Sequence, residues 1–189
     1  MSIIITNEMR DEILKIFAVG RVGSRVSVLH AIPMDKLANA RKKYARMFEP
    51  DEVAVLFYDD TLFASGKAGF ILTNKRLYHQ TMDNSFIINT VDISSINIMK
   101  KSLTIMNGFG INKIELSMLD KLEVIGLYDT MKKIIDYLHS FIGAVPEKPS
   151  TQVAGSGTYE TVICRGCAKQ FAKKVGEKRY CEYCGQAAV

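Results

Sequence analysis

Four cysteines stand in two Cys-x-x-Cys pairs, Cys164-Arg165-Gly166-Cys167 and Cys181-Glu182-Tyr183-Cys184. Each pair can turn two thiolates toward one point, and four thiolates complete the tetrahedral shell that zinc prefers. An all-thiolate shell leaves no open coordination position, so the expected Zn2+ is structural and not catalytic. The same donors also suit a mononuclear iron, and two dithiol pairs also suit redox exchange. Every cysteine lies past residue 163, whereas a disulfide framework would spread its cysteines through the fold. The insert between the pairs is long enough for a hairpin turning near Val175-Gly176-Glu177-Lys178, with Phe171 and Tyr180 as a minimal core. A module this small cannot fold on burial alone, so the metal would supply much of its folding free energy.

Other residue groups point less sharply. Ser65-Gly66-Lys67-Ala68-Gly69 has the flavour of a phosphate loop, but Thr61 stands where the first glycine belongs and Ala68 where a magnesium-ligating hydroxyl belongs. A turn between strands is expected instead. Asp59 and Asp60 form an acid pair, yet adjacent strand residues point to opposite faces, so a solvated strand end is expected. His30, His79 and His139 are scattered and are read as core or surface residues. No Ser, Cys or Lys stands beside a group that would activate it, so no enzyme is expected. Arg41, Lys42, Lys43 and Arg46 suit an anionic lipid or nucleic acid, or simply a solvated helix face. Lys169, Lys173, Lys174, Lys178 and Arg179 make a second basic group, with aromatic neighbours that a nucleic-acid surface would use.

The positioning elements follow from hydrophobic period. Residues 7–19 read as a helix with Asn7 at its N-cap, carrying Met9, Ile13, Ile16 and Phe17 at helical spacing. Residues 34–46 read as a second helix behind Pro33. The period then changes. Val53–Tyr58, Phe70–Thr73, Arg76–His79, Ser85–Ile88, Ile96–Met99, Leu103–Met106 and Ile111–Leu116 read as six or seven strands, with hairpins turning at Asn74-Lys75 and at Asn107-Gly108-Phe109-Gly110. So many short strands suggest a closed or nearly closed antiparallel barrel or sandwich. Residues 122–142 return to helical period, with Asp120 as N-cap and Gly143 as stop. The fold class is therefore α+β. Pro146, Pro149, Ser150, Gly155, Ser156 and Gly157 give residues 144–160 a linker composition. The expected organisation is a helical segment over 1–47, a strand-rich domain over 48–143, this linker, and the cysteine module over 161–189.

Composition sets the outer limits. Hydrophobic residues make up 48% of the 189, enough for a sizeable core. No apolar run approaches 18 residues, so no membrane span is expected, and the N-terminus has no secretory pattern. A cytoplasmic protein is expected. The net charge of +5 is concentrated before residue 51 and after residue 143. Four zinc-bound thiolates would remove about two of the C-terminal positive charges, which weakens the case for nucleic acid.

The stretch Asp51–Phe63, then Gly69–Tyr78, resembles bacterial pleckstrin-homology-like domains of the YokE type, above all in Leu72-Thr73-Asn74-Lys75-Arg76-Leu77. Ile32–Ala40 is similar to their N-terminal approach helix, and the resemblance covers roughly residues 30–142. It implies a seven-stranded, bent antiparallel sheet capped by a C-terminal helix, working as a binding or adaptor domain with no catalytic residues. Cys164–Cys167 and Cys181–Gly185 resemble the knuckles of a zinc ribbon, although Ala168 stands where the first knuckle's glycine would be. Together these imply a non-catalytic adaptor with an unidentified protein partner. Nucleic acid and an anionic membrane surface are the alternative partners.

Overall fold

The computed structural model describes residues 3–142, 159–163, 170–174, 179–180 and 187–188. The chain divides into two compact units, Met1–Val145 and Pro146–Val189.

The first unit opens with α1 (Asn7–Val19). Its N-cap is Thr6 and not Asn7: the Thr6 hydroxyl accepts from the Met9 amide at 3.3 Å. Starting the helix one residue earlier puts Asn7 inside the first turn, where its amide needs no intrahelical partner. Met9 and Ile13 are the buried face. A short strand follows, β1 (Val26–Val28), which the periodicity did not reveal because three residues carry too little alternation. α2 (Met34–Lys43) begins behind Pro33 and ends at Tyr44, with Arg41, Lys42 and Lys43 in the last turn where the helix dipole favours cations.

Seven more strands occupy the middle of the unit: β2 (Ala54–Asp59), β3 (Gly69–Thr73), β4 (Arg76–Gln80), β5 (Ser85–Asn89), β6 (Ile93–Met99), β7 (Ser102–Asn107) and β8 (Gly110–Glu115). The ladders form two separate antiparallel sheets, ordered β1-β2-β3-β4-β5 and β6-β7-β8. Both expected hairpin turns are present, with Leu72 opposite Leu77 and Asn107 opposite Gly110. The first unit is thus α+β, with three α-helices and two antiparallel sheets among its described residues.

The central strands β2, β3 and β4 of the five-stranded sheet are buried on both faces, which is why they read as near-continuous apolar runs rather than alternating ones. One face carries Leu56, Tyr58, Phe70, Leu72 and Leu77 into the main core. There they join Ile96, Leu103, Ile105 and Ile114 of the smaller sheet, and Met9 and Ile13 of α1. The other face carries Phe57, Ile71 and Tyr78 against Ala40 of α2, with Tyr44 and Ala45 beyond it.

The last helix of the unit, α3 (Lys121–His139), closes the main core with Val124, Leu127, Met131, Ile134, Ile135 and Leu138. Asp120 caps it in a full capping box, accepting from the Leu122 and Glu123 amides while Glu123 accepts from the Asp120 amide. Gly126 lets this helix approach the chain after α1: a Cβ there would stand 2.2 Å from the Arg21 carbonyl oxygen. Alanine is the better helix former by about 1 kcal/mol, but the backbone it would meet cannot step aside. Gly126→Ala is therefore expected to destabilise the unit by about 1–3 kcal/mol, measured by urea unfolding; a stabilised variant would show that the contact is loose.

Among its described residues the second unit has four short strands, β9 (Tyr159–Ile163), β10 (Gln170–Lys174), β11 (Arg179–Tyr180) and β12 (Ala187–Ala188). β9 pairs antiparallel with β10, and β11 with β12. No described helix is long and apolar enough to cross a membrane.

Candidate functional site

Cys164, Cys167, Cys181 and Cys184 lie outside the described residues. The strands around them are described, and they frame both pairs in the same way. Ile163 and Gln170 are cross-strand partners, so residues 164–169 join the ends of β9 and β10. Tyr180 and Ala187 are partners as well, so residues 181–186 join β11 and β12. Each Cys-x-x-Cys therefore falls in the connection between two antiparallel strands. The turn expected near Val175-Gly176-Glu177-Lys178 lies outside the described residues, while β10 pairs with β9 and β11 with β12. Strands at this register bring the two ends of each cysteine connection together. Lys173 stands opposite Glu160 in the β9–β10 ladder.

Within the first unit the densest ionic cluster surrounds the β3–β4 turn. Glu52 is fully buried at its side chain. It accepts hydrogen bonds from Thr73 Oγ1 at 2.6 Å, Tyr78 OH at 3.0 Å, Arg76 Nη1 at 3.0 Å and the Glu49 amide at 3.1 Å. Thr73 Oγ1 in turn accepts from the Lys75 and Arg76 amides, which fixes the turn. Asn74 ties the turn to two distant segments, accepting from the Val53 amide at 2.7 Å and donating to the Ile3 carbonyl at 2.6 Å. On the surface side Lys75 pairs with Glu49 and Asp51 at 2.7 Å, and Arg76 also pairs with Glu49. Hydrogen bonds from Lys75 first, then Arg76, hold the Glu49 carboxyl down at about 2. Burial pushes the Tyr78 hydroxyl up to about 12. Every member of Thr73-Asn74-Lys75-Arg76 thus has a structural task.

Asp59 departs from expectation. It is fully buried rather than a solvated strand end. Its carboxylate accepts from Thr61 Oγ1 at 2.6 Å, the Thr61 amide at 3.1 Å and the Gly66 amide at 3.1 Å, with Lys36 Nζ of α2 at 3.3 Å. The β2–β3 loop is folded around this carboxylate, which takes the Gly66 amide that a phosphate would need. Gly66 itself has φ +71 and presses on Lys36, so a side chain there would collide with the α2 backbone. Asp60 faces away, as neighbours on a strand must, accepting from Tyr58 OH at 2.5 Å and Ser117 Oγ at 2.7 Å. The two acids do not converge on one point. Two large apolar residues, Leu62 and Phe63, stand exposed at the loop tip.

The remaining candidates disperse. His30 is exposed, His139 Nε2 lies 2.8 Å from the Thr90 carbonyl, and His79 is buried with neither ring nitrogen hydrogen-bonded. Of the basic group on and after α2, Arg41 stacks over Phe48 at 4.2 Å and Arg46 Nε donates to the Lys42 carbonyl. Lys42 and Lys43 are left exposed to solvent. The buried carboxylates Glu52 and Asp59 were missed by sequence reasoning; the signal available was only their place at either end of an apolar strand.

No protein-family model matches the chain, and neither a curated protein nor a solved structure matches it.

Proposed function

We propose that the chain is a non-catalytic binding or adaptor protein, built from a pleckstrin-homology-like body and a structural zinc ribbon. One observation carries the non-catalytic reading: Glu52 pairs with Arg76, Asp59 with Lys36 and Lys75 with Glu49 and Asp51, and both buried carboxylates also accept from backbone amides and hydroxyls. Ionic groups consumed in holding a turn and a loop are not free to move protons. The strand order supports the pleckstrin-homology-like body. β2–β5 form one run, β6–β8 the next, and a capping helix follows, with β1 as an added edge. The zinc ribbon is supported by the placement of each Cys-x-x-Cys between two antiparallel strands. The donor set is four thiolates, which zinc accepts in a closed tetrahedral shell. Bound zinc would supply folding free energy to the second unit and no reaction step. The setting is a reducing cytoplasm, where such thiolates stay available to metal. The partner is a protein. The stacking of Arg41 on Phe48 leaves less of the α2 basic group for a membrane surface.

Metal content and partner capture test this reading together. The purified chain is expected to carry one zinc ion, lost in a Cys181→Ser/Cys184→Ser variant, while the melting transition of the first unit stays unchanged. Iron, or no metal in the wild type, would remove the ribbon from the proposal. Affinity capture under native conditions is expected to recover a defined protein. Recovery of nucleic acid alone, with salt-sensitive binding, would replace the adaptor reading.

A further inference from the structure

We propose that α3 pairs with α3 of a second copy of this chain, antiparallel across a two-fold axis that passes by Ile125. The inference goes beyond the adaptor reading and does not depend on it.

On a helix, residues four apart form a raised row, and such rows pack into the furrows of a facing helix. Lys121, Ile125, Asp129 and Lys133 make one row of α3, and all four are exposed. The neighbouring row is Leu122, Gly126 and Thr130, which is low at its middle because Gly126 has no side chain. A groove of about 270 Å3 follows that row, with Ile16, Val19 and Gly20 at the end of α1 as its far wall. The apolar lining is largely uncovered: Val19 is 76% exposed, Leu122 61% and Ile125 41%. Three such residues on one groove make a patch and not a scatter of surface hydrophobics. A raised row and a furrow thus lie side by side on one helix, which is what two identical helices need in order to fit each other.

The charges on the row select a second copy as the occupant. Lys121 and Asp129 lie four residues to either side of Ile125. Turned end for end about Ile125, the row puts each Lys121 beside Asp129 of the other copy, twice over. A two-fold contact is self-complementary in this way, each copy receiving what it offers. Both charges are available for it. Lys132 and Asp136 pair at 2.7 Å, but Asp129 and Lys133, at the same spacing, form no ion pair among the described residues, and neither does Lys121. Lys121 also opens α3, where the helix dipole disfavours a cation. A carboxylate supplied by the other copy offsets that cost. Lys133 falls opposite Ser117, beyond the start of the facing helix.

Sedimentation equilibrium of the full chain, from about 1 µM to about 1 mM, is the test. A monomer–dimer equilibrium is expected within that range, weak because the apolar patch is small. Lys121→Glu and Asp129→Lys each create two like-charge contacts across the axis and are expected to weaken the dimer at least tenfold. Lys121→Glu/Asp129→Lys rebuilds both pairs with the signs exchanged and is expected to return the affinity to within about threefold of wild type. Lys121→Glu places an acid at the helix N-terminus, so the melting temperature of the monomer at low concentration should not fall. The second unit is identical in every variant, so any association of its own cancels in the comparison. A chain that stays monomeric to about 1 mM would overturn the proposal. So would a dimer that ignores the single reversals, or one that the double variant fails to restore.

Discussion

Glu52→Ala is expected to destabilise the first unit by about 3–5 kcal/mol, the loss typical when one partner of a buried ion pair is removed. The carboxylate is fully buried, and the variant would take an acceptor from Arg76 Nη1, Tyr78 OH and Thr73 Oγ1 at once. Thr73 also fixes the β3–β4 turn, so the damage reaches the sheet register. Glu49→Ala serves as the control. Glu49 binds the same Arg76 and Lys75 from the solvent side, where water replaces a lost partner, and its removal should cost far less. Urea unfolding of the two variants at pH 7 decides the matter. Equal losses would mean that burial of Glu52 contributes nothing beyond a surface ion pair.

The second large effect is on pH dependence. His79 is buried on β4, stacked on Phe86 with ring centroids 4.7 Å apart, and has no hydrogen bond to either nitrogen. Burial lowers its pKa to about 4, against a smaller upward pull from the Asp60 carboxylate. The unfolded chain takes up a proton near pH 6.5, while the folded chain refuses it until about pH 4. Stability is therefore whole above pH 6.5 and is lost as pH falls toward 4. Two units or more of refused titration amount to roughly 3 kcal/mol. Unfolding free energies at pH 7 and pH 4.5, compared between wild type and His79→Phe, isolate this contribution from the carboxylates. The wild type is expected to lose about 2–3 kcal/mol more than the variant across that interval. Equal losses would show that the folded protein accommodates the imidazolium.

What the sequence revealed was local, and what it hid was long-range. The turn at Asn74-Lys75, the cap at Asp120 and the helices over Asn7–Val19 and Lys121–His139 are set by neighbours a few residues away. Period and turn chemistry carry that information. Asp59 was read as a solvated strand end and Glu52 drew no reading, because their partners lie elsewhere in the chain: Lys36 and Gly66 for the first, Thr73 and Arg76 for the second. No local pattern announces a carboxylate that a distant turn will enclose. The cysteine pairs are the opposite case, since spacing alone suggests their chemistry and the flanking strands β9–β12 add the connection each pair occupies.

The pairing of the first helix with the last helix of its unit has a consequence for synthesis. α1 leaves the ribosome well before α3, against which it packs and whose residues emerge about a hundred positions later. At ~5–20 residues per second, Met9 and Ile13 wait roughly 5–20 s for the surface that covers them. Asn74, which holds the Ile3 carbonyl, arrives earlier but still long after α1. The nascent chain thus carries an uncovered apolar stripe on α1 until α3 emerges. A chaperone that meets chains at the exit tunnel would find its binding stretch there, and slowing elongation would lengthen its hold.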